Sequence, residues 1–208
     1  MKKYTAEQIK NMDYSSFVGL INERNRPSGG IKTVHTVAVN AFINKNKKVL
    51  EIGSNTGFTS VNLALLTGCE VVGIDINPES VKKATEYALK MGVQDKVKFI
   101  CASASKLPFE DNTFDMVWAS NVTSFISDKN LAIEEYSRVL KVGGTLAVIP
   151  IYYRSNVPAD IVKGVSEAIG TEIKEWDKQY WLDLFLNLKI SHAELDLYYN
   201  RDFLYEDR

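Results

Sequence analysis

The sequence predicts an α/β fold in three layers, a mostly parallel sheet with helices on both faces. Three observations predict it. From Lys48 onward, short apolar runs alternate with segments of helical periodicity. The runs are apolar throughout, as strands buried on both faces are. Three of them stop at Gly53, Asp75 or Pro150, residues suited to turns rather than to continued pairing. Such an alternation implies right-handed crossovers between parallel strands.

The elements follow in order. Residues 1–47 read as an N-terminal helical lid belonging to the same domain, and residues 48–208 as an α/β core with helices at its C-terminal end. Thr5 and Gln8 form a capping box for a first short helix. A second helix starts near Ser15 or Ser16 and carries Phe17, Leu20 and Ile21. Asn25-Arg26-Pro27-Ser28-Gly29-Gly30 is a loop. A third helix runs over 31–44, with Ile31, Val34, Ala38, Ala41 and Phe42 as its apolar face.

Lys48–Ile52 is the first strand and 59–67 the next helix. Glu70–Ile74, closed by Asp75, is the second strand. Asn77-Pro78-Glu79 starts a helix with an N-cap residue, a proline at the first position and an acid; Gly92 stops it. Val97–Cys101, 114–119 and 145–149 are three further strands. A helix over 127–140, closed by Gly143-Gly144, precedes the last of them. Residues 157–169 and 176–187 read as helices, 192–199 as a strand and 202–205 as a poor partner for it. A sheet edge left open there would favour pairing with a second copy of the chain, a homodimer.

Composition narrows the function. The chain has 208 residues, the size of one domain, and is 45% hydrophobic and 25% charged. Lys and Arg total 25 against 26 Asp and Glu, which argues against a dedicated nucleic-acid surface. No apolar run is long enough to cross a membrane, and MKKYTAEQIK lacks the apolar stretch of a signal peptide. Two cysteines and two histidines supply neither a disulfide framework nor a metal set. A reducing cytoplasm fits this cysteine usage, with Cys69 and Cys101 as inert core thiols.

The chemistry centres on Val49-Leu50-Glu51-Ile52-Gly53-Ser54-Asn55-Thr56-Gly57, a strand running through a Gly-containing turn into a helix. Gly53 and Gly57 permit unusual backbone angles and close approach of a ligand. Backbone N–H groups at the following helix start can face a polar group. Asp75 ends the second strand at the matching level, where a carboxylate can accept both hydroxyls of a ribose. The spacing E-x-G-x-x-x-G is not the dinucleotide fingerprint G-x-G-x-x-G. The charge of Glu51 would repel a pyrophosphate and suit a cation.

At this point the chain resembles the class I S-adenosylmethionine-dependent methyltransferases. VLEIGSNTGFTS is similar to the first motif of that family and VVGIDINPES to its second. FICASASKLPFEDNTFDMVWAS and LKVGGTLAVIP resemble its third-strand to fifth-strand stretch. The resemblance covers about residues 37–151 and implies a Rossmann-like methyltransferase fold. The implied cofactor is S-adenosyl-L-methionine, with S-adenosyl-L-homocysteine as product.

The implied roles fall residue by residue. Glu51, Gly53, Ser54, Asn55 and Gly57 would surround the methionine part, and Asp75 the ribose. Ile76 would lie on the adenine face, and Ser103 and Ala104 at its edge. Many relatives have Asp where Ser103 stands, so the adenine bond would be weaker here. Asn121 would lie near the methyl donor.

The expected reaction is in-line transfer to an oxygen or nitrogen of a small-molecule acceptor. Arg26, Thr123, Ser124, Tyr152 and Tyr153 are the acceptor-side candidates. Arg24 or Arg26 would clamp an anionic acceptor or the cofactor carboxylate. His35 is the one candidate for a catalytic base, against the plain reading of a backbone-bonded helix histidine. Trp176, Tyr180 and Trp181 fall at helical spacing, as packing residues or as an aromatic cage for a cation. Two other classes stay open: a non-catalytic module binding cofactor or a partner, and a nicotinamide-dependent oxidoreductase.

Overall fold

A computed structural model of the chain describes residues 4–12, 14–21, 26–153, 155–174 and 176–186. Three helices come first: α1 (Ala6–Lys10), α2 (Tyr14–Leu20) and α3 (Ile31–Asn40). The capping box of α1 forms as read. Gln8 N donates to Thr5 Oγ1 at 3.2 Å, and Thr5 N donates to Gln8 Oε1 at 2.9 Å. The third helix ends four residues earlier than its apolar pattern suggests. Ala41 caps it and Phe42 turns left-handed at φ 51°, so Phe42 leaves the apolar face and is 81% exposed.

The core alternates β1 (Lys48–Ile52), α4 (Phe58–Thr67), β2 (Glu70–Asp75), α5 (Pro78–Lys90), β3 (Val97–Cys101), β4 (Phe114–Ser120), α6 (Lys129–Val139) and β5 (Leu140–Ile149). The helices α7 (Ala159–Ile169) and α8 (Lys178–Leu186) follow. The five strands form one parallel sheet in the order β3-β2-β1-β4-β5. The chain builds outward from β1 to β3 and then crosses to the other side of β1. The switch point of the sheet therefore lies between β1 and β4.

Both faces of the sheet are covered, as the unbroken apolar strands require. Val49, Val61, Leu63, Val71, Met116 and Trp118 form a core with α3 and α4 on one face. Leu50, Ile52, Ile74, Val117 and Ala119 pack with Ala132, Ile133 and Tyr136 of α6 on the other. Strand alternation assigns Glu51 to the first face and its neighbours Leu50 and Ile52 to the second.

Three expectations need correction. The helix over 127–140 stops at Val139, and β5 begins at Leu140, paired with Phe114. The register then jumps to Met116 against Thr145, so Gly143-Gly144 makes a bulge inside β5 instead of closing the helix. β3 is not buried throughout: Lys98, Ile100 and Cys101 are exposed because β3 is an edge strand among the described residues. Cys101 is thus a surface thiol, whereas Cys69 is buried in the core. The expected strands 192–199 and 202–205 lie outside the described residues, as does Arg24. No described helix is long and apolar enough to cross a membrane.

Candidate functional site at the switch point

The site starts from the turn between β1 and α4. Gly53 (φ 68°), Asn55 (φ 43°) and Gly57 (φ 86°) are all left-handed, a conformation that favours glycine and tolerates asparagine. Ser54 N donates to Ile74 O at 2.8 Å, which fixes the turn to the end of β2. A Cβ on Gly53 would lie 2.5 Å from Val122 Cγ2. The same turn therefore lies against Val122, two residues beyond the end of β4.

Glu51 stands directly before this turn, 3% exposed. Its Oε2 accepts from Ser60 N at 2.9 Å and from the Ser60 hydroxyl at 2.5 Å. A carboxylate is favoured there because the first turn of α4 offers N–H groups without helical partners. Burial opposes the charge more strongly and pushes the pKa up to about 7; the Ser60 bonds pull it down and the nearby charge of Asp75 adds to the rise.

Asp75 closes β2 on the same face. Asn55 N donates to its Oδ2 at 2.8 Å, and Asn77 N donates to its Oδ1 at 2.9 Å. Burial raises its pKa against these backbone bonds. Each carboxylate oxygen can accept more than one bond, so both retain capacity for ligand hydroxyls. Asn77 also caps α5, accepting from Glu79 N at 2.9 Å and Ser80 N at 3.2 Å. Ser80 donates to Asn55 Oδ1 at 3.3 Å, which links that cap to the turn. Beside Asp75, Ile76 is 66% exposed and presents an apolar surface at the rim.

On the far side of β1, Asn121 follows β4 at φ 56°. Its N–H donates to Ile149 O at 2.9 Å, and its side-chain amide donates to Arg26 O at 3.2 Å. Of the N-terminal helices, α2 approaches the site. Tyr14 of α2 meets Phe125 at 5.7 Å between ring centroids, and Asn77 Nδ2 donates to Ser16 Oγ at 3.4 Å. Since Asn77 follows β2 and Phe125 follows β4, α2 bridges the strand ends across the switch point.

The remaining candidates divide. The Ser103 hydroxyl accepts from Ser105 N at 3.3 Å in an exposed turn, and Ala104 is buried. Thr123 and Ser124 are both buried, in a single 3-10 turn. Ser124 Oγ accepts from Ile151 N at 3.0 Å, and Trp181 Nε1 donates to Ile151 O at 3.1 Å. Ser124 thus staples the chain after β5. Tyr152 and Arg26 are exposed, and Tyr153 is half-buried with its N–H on Trp176 O. His35 is exposed on α3.

Trp176, Tyr180 and Trp181 pack on one another at 5.3–5.8 Å. The cation over Trp176 is the chain's own Lys129, with Nζ 3.9 Å from the ring centroid and donating to Ile126 O at 2.8 Å. Four contributors escaped the sequence reading: Ser60, Val122, Phe99 and Lys129. Ser60 had a signal, its place in the first turn of a helix. Val122 and Phe99, which crowds Gly57 and Gly73, had none, because their partners lie far away in the chain. Among the described residues no group of three His, Cys, Asp or Glu could hold a metal ion.

Comparison with known proteins agrees with this geometry. The family model described as a methyltransferase domain matches residues 43–189. An uncharacterized protein of Haemophilus influenzae is 29% identical over 199 residues, covering 92% of this chain and 79% of that protein. The sterol 24-C-methyltransferase of Saccharomyces cerevisiae is 36% identical over 114 residues, which is 55% of this chain and 30% of that enzyme. The crystal structure of MccD protein matches with a TM-score of 0.72 and 31% identity, over 78% of this chain and 72% of that one.

Proposed function

We propose, because this chain belongs to the class I S-adenosylmethionine-dependent methyltransferase family, that its switch-point site binds S-adenosylmethionine and directs a methyl group in line onto a small-molecule acceptor. One observation carries the reading. A half-buried carboxylate, Asp75, is held by the backbone N–H groups of Asn55 and Asn77 beside a left-handed glycine turn at the β1–β4 switch point.

The donor set fits that cofactor. Asp75 offers acceptors for two ribose hydroxyls, and Ile76 an apolar plate for the adenine. Ser103 and Ala104 stand for its edge. The backbone of Gly53–Gly57, with Ser54 and Asn55, suits the methionine part, and the negative charge of Glu51 suits its cationic end. The cofactor supplies the activated methyl on a sulfonium; the chain supplies orientation and field.

Holding two reactants in line lowers a barrier by ~7–11 kcal/mol, so transfer does not require a protein base. His35, exposed on α3, is given no such role. Asn121, anchored to Ile149 and Arg26, stands for the wall beside the methyl. α2 serves as the lid. Arg26, Tyr152 and Tyr153 form the acceptor mouth, with Thr123 and Ser124 buttressing it from behind. The attacking atom was expected to be oxygen or nitrogen; the sterol relative's name specifies carbon, so the proposal is limited to a nucleophilic centre of a small molecule.

A thermal-shift titration tests the reading, with S-adenosylmethionine, S-adenosylhomocysteine and NAD against wild type and Asp75→Ala. A ligand at ~100 times its dissociation constant stabilises a fold by ~2.7 kcal/mol. Both sulfur ligands are expected to raise the wild-type melting temperature and to fail with Asp75→Ala, and NAD to have no effect. No shift of the wild type with either sulfur ligand overturns the reading; a shift with NAD alone replaces it by the oxidoreductase.

A further inference from the structure

Glu51 and Asp75 lie near each other with no cationic partner among the described residues. Both sit on the α4 face of the sheet, since Ile52 and Ile74, registered with each other across β1 and β2, point to the opposite face. The groups that favour their charged forms are neutral: the Ser60 N–H and hydroxyl with the Thr59 hydroxyl for one, and the Asn55, Asn77 and Ile76 N–H groups for the other. Among the described residues no Lys, Arg or His makes an ion pair with either.

The surrounding elements explain this. α4 carries no ionisable side chain, Trp118 of β4 and Gly73 of β2 flank Glu51 in the sheet, and Lys32 and His35 of α3 are exposed. On α5, Glu79 and Lys82 are exposed, and Lys83 donates to Leu20 O. Asp75 is the charge that reaches Glu51. A buried carboxylate without a counter-cation is costly, and in low dielectric its attraction to an incoming cation is correspondingly strong.

We propose that Glu51 is the residue that makes this site prefer the cationic methyl donor over its product, and that a proton on Glu51 removes the preference. The inference rests on the reading of the site given above. In the reaction the acceptor's electron pair forms the new bond to the methyl carbon, and the carbon–sulfur pair stays on sulfur. The sulfonium becomes an uncharged thioether, and any acceptor proton leaves to solvent. The site thereby loses the sulfonium charge, which a carboxylate at Glu51 would attract and a protonated carboxyl would not. Donor binding favours the carboxylate, transfer removes its partner, and Glu51 regains a proton as product leaves. The buried carboxyl is suited to this cycle near neutrality, since burial pushes its pKa up to about 7.

The test is calorimetric titration of full-length protein with S-adenosylmethionine and S-adenosylhomocysteine, from pH 5.5 to 8.5. In the wild type the donor-over-product affinity ratio is expected to rise about tenfold with pH, the scale of one partly screened charge pair. In Glu51→Gln this rise is expected to be absent, leaving only the change that comes from the ligands themselves. Titration of the ligands' own amino groups is common to both proteins, so their difference isolates Glu51.

Ser60→Ala provides a second arm that retains the charge. Removing a hydrogen bond to the carboxylate is expected to move the midpoint of the ratio to higher pH, which a purely structural role would not do. A wild-type ratio that does not change with pH, or one that changes equally in Glu51→Gln, overturns the inference. If Glu51→Gln does not fold, an unmoved midpoint in Ser60→Ala overturns it. Absence of binding by either ligand at every pH instead refutes the cofactor reading itself.

Discussion

At the scale of single residues, the site depends on backbone conformations that side chains resist. Gly53 is left-handed, and a Cβ there would meet Val122 at 2.5 and 2.7 Å. Gly53→Ala is therefore expected to cost about 2–4 kcal/mol, from left-handed strain and overpacking together. Adding Val122→Ala takes away the Cγ2 contact but keeps the residue's Cβ at 2.7 Å, so it should recover only part of the overpacking and leave the strain. Urea unfolding of the single and double variants checks this; equal stability of the two would show that Val122 Cγ2 is not the obstacle. The glycine was legible in the sequence as part of a strand–turn–helix pattern. Its partner was not, because Val122 lies 69 positions away and only the β1–β4 pairing brings the two together.

At the scale of elements, boundaries follow local chemistry where that chemistry is strong. Asn77, Pro78 and Gly92 bracket α5 as expected, with the Asn77 side chain accepting two N–H groups and Gly92 at φ 71°. Asn77→Ala should destabilise the protein by about 1 kcal/mol through the lost cap. It should also weaken the hold of α2, since Asn77 Nδ2 donates to Ser16. Denaturant unfolding reads the first effect, and faster amide exchange in residues 14–20 the second. Where the cue is weaker, the element ends elsewhere. The apolar face of α3 continues past Asn40, yet the helix stops because Ala41 and Phe42 turn the chain toward β1. Gly143-Gly144 looks like a helix stop, but it is spent inside a strand, where pairing with β4 absorbs it as a bulge.

For the whole molecule, the two ends of the sheet carry opposite pH responses. At the end remote from the site, Asp115 joins the starts of β1, β4 and β5. It accepts from Lys47 Nζ at 3.0 Å, Lys48 N at 2.9 Å and Lys141 Nζ at 2.9 Å. Burial alone would raise its pKa, but the bonds from Lys141, Lys48 and Lys47 outweigh that and hold it down to about 2. A depressed carboxylate contributes stability above its unfolded pKa and loses it as pH falls through the folded value. Asp115→Asn should thus cost about 2 kcal/mol at pH 7, and the cost should disappear near pH 2. Urea unfolding at several acidic pH values checks this; a pH-independent difference would mean that packing, not charge, is at stake. Glu51 runs the other way. Its raised pKa means that its contribution is full below the ordinary glutamate range and is lost as pH rises through about 7.

The sequence by itself determined the alternation of strands and helices, the turn at Gly53–Gly57, the carboxylate at the end of β2 and the start and stop of α5. Each is encoded within about ten residues, by hydrophobic period and turn chemistry acting locally. The tertiary structure decided the rest. Strand order made β1 central and β3 an edge, which buried Cys69 and exposed Cys101. The approach of the segment before α8 to the start of α6 set Lys129 over Trp176. The same crossovers took Glu51 out of water beside a second carboxylate. Dielectric surroundings and long-range neighbours are properties of the assembled sheet, so no local pattern carries them.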